Sequence, residues 1–136
     1  MDDGRSQTQT VAPSILVGDQ EPTSRMSLSD LLREEGYHVV EAADSGSALT
    51  QLNRDPSIKV MLSDLEMPSW ATIVKQARSQ LPNSLILGMV RYGALANAVE
   101  AQRLGAHAYL VKPLTFAEVS HWIQRFLTRQ SLIKSK

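Results

Sequence analysis

The chain has 136 residues, 43% of them apolar, which is enough for one compact core and too little for two. Fourteen Lys and Arg balance fourteen Asp and Glu, so no basic surplus draws it to nucleic acid or an anionic membrane through long-range charge. Absent cysteine excludes disulfides, thiolate metal sites and cysteine nucleophiles, and with no apolar run near the ~18 residues of a membrane span and no secretory signal, a cytoplasmic protein is expected.

Residues 1–13 are polar and without period, and read as a disordered leader outside the fold. Ser14-Ile15-Leu16-Val17 is a short apolar run closing on Gly18-Asp19, the profile of a strand buried on both faces. Leu28, Leu31 and Leu32 follow at helical spacing, with Gly36 placed for a left-handed helix terminus. Tyr37–Glu41 reads as a second strand, Ser45–Leu52 as a second helix and Ile58–Ser63 as a third strand. Ala71–Leu81 predicts a third helix, Leu85–Val90 a fourth strand, Ala94–Leu104 a fourth helix ending at Gly105, and Ala108–Val111 a fifth strand. Thr115-Phe116-Ala117-Glu118 is a capping box opening a final helix to about Thr128, after which residues 130–136 read as a tail or linker.

Five strands alternating with five helices through short links predict an α/β fold, a parallel sheet covered on both faces. Ligand chemistry in such sheets gathers at the carboxyl ends of the strands, near the point where strand order reverses. Asp64 follows the third apolar run and Asp19 the first, so both carboxylates should meet at one edge of the sheet. Each acid taken alone could equally cap the next helix or solvate a loop.

Three stretches carry a resemblance: Ile15-Leu16-Val17-Gly18-Asp19-Gln20-Glu21-Pro22, Asp64-Leu65-Glu66-Met67-Pro68, and Gly105-Ala106-His107-Ala108-Tyr109-Leu110-Val111-Lys112-Pro113. In order and spacing they resemble the successive signatures of bacterial response-regulator receiver domains, over about residues 14–129. The resemblance implies a flavodoxin-like (CheY-like) three-layer sandwich with a five-stranded sheet of order 2-1-3-4-5. It implies a signalling domain of a two-component system rather than an enzyme, with at most self-phosphorylation and dephosphorylation at Asp64. Asp64 would be the phosphoacceptor, its carboxylate attacking phosphorus to give an acyl phosphate that drives a conformational change. Lys112 would pair with the phosphate, Pro113 would follow a cis peptide bond, and Asp19, Asp64 and the backbone carbonyl of Glu66 would hold Mg²⁺. A structural alternative for Lys112 is an ion pair with Asp64.

The departures from the family pattern concern the same pocket. Gln20 stands where a second acid normally touches the metal, so Mg²⁺ is expected to bind weakly. Val90 stands where a Thr or Ser hydroxyl bonds the phosphoryl group, and a valine has no donor to offer. Arg91 replaces a usually small residue and leaves three readings open: pairing with phosphate or Asp64, plugging the pocket as a permanent counter-ion, or pointing into solvent. Ser69-Trp70-Ala71 is about two residues short of the usual turn and lacks its glycine, so the loop beside the acceptor must be tighter. Trp70 either covers the site or anchors that loop. Tyr109 matches the aromatic that alternates between inward and outward rotamers, and with Val90 it is expected either to be locked or to be simply a half-buried strand residue.

These features rank an atypical receiver first: a module that regulates a partner or fused output domain through its fourth helix, fifth strand and fifth helix, with weak or absent phosphorylation of Asp64. Next comes a working receiver phosphorylated on Asp64 by a histidine kinase or phosphotransfer protein. An aspartate-nucleophile hydrolase is the remote third, because Asp64-Leu65-Glu66-Met67 lacks the second Asp of the haloacid-dehalogenase pattern. A homodimer through the same face is a further expectation, whereas direct nucleic-acid or membrane contact is not expected.

Overall fold

The computed structural model describes residues 13–135, with side chains described as far as Ser131. Residues 1–12 of the expected leader lie outside the described residues. The elements are β1 (Ser14–Gly18), α1 (Pro22–Glu34), β2 (His38–Ala42), α2 (Ser45–Arg54), β3 (Ile58–Asp64), α3 (Trp70–Gln80), β4 (Leu85–Arg91), α4 (Leu95–Leu104), β5 (Ala108–Lys112) and α5 (Phe116–Ser135). The strands form one parallel sheet of order β2-β1-β3-β4-β5, as expected.

The apolar runs explain this architecture. Successive residues of a strand point to opposite faces, so a strand that is apolar throughout can be satisfied only between two layers. Ile15 and Val17 enter a core with Leu28 and Leu32 of α1 and Val119 and Ile123 of α5. Leu16 enters the opposite core, with Leu52 of α2, Ile73 and Val74 of α3, and Ala98 of α4. Each fully buried Leu or Ile contributes roughly 1.5–3 kcal/mol. The edge strands β2 and β5 are only partly buried, which matches their mixed composition.

Two differences from the sequence expectation have plain causes. First, β3, β4 and β5 each run one residue longer, so Asp64, Arg91 and Lys112 are the final residues of strands. Charge interrupts the apolar pattern, but the ladder continues: Asp64 pairs in register with Met89, and Arg91 with Lys112. Second, α5 passes Thr128 and continues to Ser135, so the segment expected as a tail is helical through residue 135. No Gly or Pro follows Thr128 to stop it.

Local chemistry sets the loops around the carboxyl edge. Gly36, at φ 97°, closes α1 in a conformation that costs a non-glycine residue. Thr115 Oγ1 accepts from the Glu118 amide at 3.3 Å and so caps α5. In β4, a Cβ on Gly88 would overlap the Leu65 side chain, so glycine lets the residue after Asp64 lie flat across the neighbouring strand.

Candidate functional site

The sheet order brings the predicted residues together. Because β1 and β3 are neighbours at the centre, Asp19 just after β1 and Asp64 at the end of β3 lie side by side, both almost fully buried. Lys112 reaches across from β5. Its Nζ lies 3.9 Å from Asp64 Oδ2, the ion pair that the structural alternative named, and closer still, 2.8 Å, to Asp19 Oδ2. The Lys112–Pro113 peptide bond is cis.

Backbone amides hold both carboxylates in place. Asp19 Oδ1 accepts from the Glu21 amide at 3.0 Å, and Asp64 Oδ1 accepts from the Glu66 amide at 2.9 Å. Burial pushes the Asp64 carboxyl above its ordinary range, against the Glu66 amide and the Lys112 charge, while Asp19 adds to the rise. A carboxylate that is desolvated, oriented and left with one oxygen toward a cation is the form a nucleophilic carboxylate needs. A cleft of about 300 Å³ opens above it, lined by Gln20, Glu21, Asp64, Glu66, Arg91 and Lys112.

Of the altered positions, Gln20 and Arg91 line this cleft. Val90 is fully buried in the core under α2, α3 and α4, and the half-buried Tyr109 packs against that same core. The Arg91 side chain is three-quarters exposed at the rim of the cleft and pairs with Glu66, a partner that none of the three readings named. Its Nη2 and Nε donate to Glu66 Oε1 at 2.8 and 3.0 Å, Nε also approaches Oε2 at 3.2 Å, and its backbone amide donates to Oε2 at 3.0 Å. The guanidinium, foremost through these hydrogen bonds, holds the Glu66 carboxyl below its ordinary range. Sequence reading did not pair the Glu66 side chain with Arg91. The missing signal was register: Asp64 pairs with Met89, so two residues further on Glu66 lines up with Arg91.

The shortened loop is tight, as expected. Met67 N donates to Asp64 O at 3.4 Å, Trp70 N to Met67 O at 3.2 Å, and Ser45 Oγ of α2 donates to Pro68 O. Ser69 takes the left-handed conformation (φ 62°, ψ 23°), which glycine adopts at less cost. Trp70 is half-buried against the α2–α4 core and is not among the residues lining the cleft, so it anchors the loop and does not cover the site.

The donors for a divalent cation fall short of a full set. Two buried carboxylates are present, but Gln20 replaces the next acid, Lys112 already sits on Asp19, and among the described residues no three His, Cys, Asp or Glu are grouped to hold a metal. The histidines belong elsewhere. His38 Nδ1 lies 3.1 Å from Ser14 Oγ, and His107 Nδ1 accepts from the Ile86 amide at 3.0 Å.

Comparison with known proteins places this geometry. The family described as response regulator receiver domain matches residues 15–124. The chain is 32% identical over 127 residues to the regulatory protein AtoC of Escherichia coli K12, covering 92% of this chain and 27% of AtoC. It is 36% identical over 110 residues to the photosynthetic apparatus regulatory protein RegA of Cereibacter sphaeroides, covering 79% of this chain and 58% of RegA. The chain thus spans less than two thirds of these relatives. Among solved structures, a receiver domain protein from Clostridium thermocellum superposes with TM-score 0.80 at 30% identity, covering 89% of this chain and 98% of that one. A response regulator from Burkholderia pseudomallei, solved with a phosphorylated aspartic acid, a calcium ion and citrate, superposes with TM-score 0.73 at 25% identity, covering 79% of this chain and 64% of that one. With the sheet order, the family match and the full-length structural likeness in agreement, the chain belongs to the response-regulator receiver domains of bacterial two-component signal transduction.

Proposed function

We propose that this domain, over residues 14–129, is an atypical receiver of the cytoplasm that regulates a protein partner or fused output domain through its α4–β5–α5 face, with weak or absent phosphorylation of Asp64. The observation that carries this reading is Val90: a fully buried side chain without a donor at the end of the strand beside Asp64. No hydroxyl at that position can grip a phosphoryl group on Asp64. Two further features support it. Gln20 and the Lys112–Asp19 ion pair reduce the pull on Mg²⁺, and Leu95, Val99 and Val111 are exposed apolar residues on α4 and β5.

A second reading, a working phosphoacceptor served by a histidine kinase or phosphotransfer protein, is favoured by Asp64 itself. Its carboxylate lines an open cleft, with Lys112 placed to pair with an incoming phosphate. One experiment separates the two. The protein is incubated with Mg²⁺ and acetyl phosphate, or with beryllofluoride, and followed by intact mass and backbone NMR. The atypical reading expects an unmodified mass and unshifted resonances at Tyr109. A stable adduct lost in Asp64→Asn, with shifts reaching Tyr109, overturns it.

A further inference from the structure

The β4–α4 connection is fastened to the residues immediately after the acceptor, and every fastening is internal. Glu66 receives the Arg91 backbone amide on one oxygen and the guanidinium on both. Asn97, in the first turn of α4, donates its Nδ2 to Leu65 O at 2.8 Å. The Leu65 amide donates to Met89 O at 2.9 Å, and its side chain lies over Gly88. Between these ties the chain turns through Tyr92, which is almost wholly exposed, and Gly93 at φ 94°, with Ala94 N returning to Arg91 O at 3.0 Å.

A carboxylate accepting from a guanidinium and a backbone amide of one residue is a charge-assisted, two-pronged contact that fixes orientation as well as distance. It fixes the strand end from which α4 departs, and α4 carries the exposed Leu95 and Val99. Val90 is apolar and buried, so the donors that hold this loop come from the next residue. Their anion is Glu66, two residues beyond Asp64.

We propose that Glu66 is the built-in anion that holds the β4–α4 loop through Arg91, so that the α4 face is set for its partner while Asp64 remains unmodified. The inference rests on the atypical reading above and names the regulation of the same site: the latch has moved from position 90 to position 91, and its acceptor is a side chain of this chain. The guanidinium is three-quarters exposed, so a partner that brings its own carboxylate or phosphate to Arg91 can release it.

The test is amide hydrogen exchange, read segment by segment on the full chain. Glu66→Gln and Arg91→Ala are each expected to speed exchange at residues 91–98 about tenfold, while β1 and β2 keep wild-type rates. The double exchange of Glu66→Arg with Arg91→Glu restores the side-chain pair and is expected to recover part of the protection. Rates at 91–98 within twofold of wild type in both single variants overturn the inference. Equal acceleration of every segment also overturns it, since that reports lower global stability and not a local latch. A beryllofluoride adduct on the wild-type protein counts against the atypical reading alone, so the two ideas fail on different readouts.

Discussion

The floor and the rim of the cleft obey different rules. On the floor, Asp19 and Asp64 are buried and Lys112 is mostly so, and the one ammonium serves both carboxylates. On the rim, Gln20, Glu66 and Arg91 stand in or near solvent, where a substitution alters chemistry with little effect on folding. The charged residue types that the family resemblance led one to expect stand on the floor, and the departures stand mostly on the rim. Val90 bridges the two regions, since a valine keeps the packing of the core and removes the donor.

The strongest challenge to this contrast is Lys112→Ala. Removing the ammonium leaves two buried carboxylates without a counter-charge, and the expected loss of stability is about 3–5 kcal/mol in chemical denaturation at neutral pH. A loss below about 1 kcal/mol means that the floor is wetter and looser than its exposures indicate. Asp64→Asn should act in the opposite direction. Burial raises the folded carboxyl above its unfolded value of about 3.9, so this group supports the folded state most fully below that value and withdraws support as pH rises through the folded one. At neutral pH the ionised wild-type side chain is therefore a penalty. Asparagine keeps an oxygen for the Glu66 amide and should gain on the order of 1 kcal/mol, with the gain shrinking as the pH is lowered toward 4. A gain that grows in acid contradicts the raised carboxyl.

How much of this was written in the sequence follows the same division. The floor was legible, because strand ends are marked by the switch from apolar to charged residues, and alternating strands and helices bring those ends to one edge of the sheet. Asp19 and Asp64 followed from that pattern, whereas Lys112 was placed by the resemblance to receiver domains. The rim was not legible, because its contacts depend on register between strands that are neighbours only after folding. Glu66 and Arg91 are 25 residues apart, and nothing local to either names the other. Of the readings sequence offered for Arg91, none included Glu66, and Asn97 gave no signal at all. The end of α5 was missed for a different reason. Helix continuation past Thr128 is the default when no stopping residue intervenes.

The smallest effect concerns the backbone of the rim. Ser69 is the one described non-glycine residue with positive φ, and it caps α3 without a side-chain hydrogen bond. The left-handed conformation costs an L-residue about 1–2 kcal/mol relative to its preferred regions. Glycine removes that cost but gains freedom in the unfolded chain worth roughly 0.5–1 kcal/mol, so the two contributions nearly cancel. Ser69→Gly should therefore raise stability by only about 0.5 kcal/mol, measured as a shift of the denaturation midpoint at unchanged slope. The larger consequence is local. If Ser69 is what keeps the shortened loop, and with it Leu65 and Glu66, in one position, the glycine variant will exchange faster at residues 65–70 even as the whole domain becomes slightly harder to unfold. Faster exchange there together with tighter folding would separate rigidity of the rim from stability of the floor. A variant that is both less stable and unchanged at 65–70 would mean that the loop is held from α2 through the Ser45–Pro68 contact and owes nothing to the conformation of Ser69.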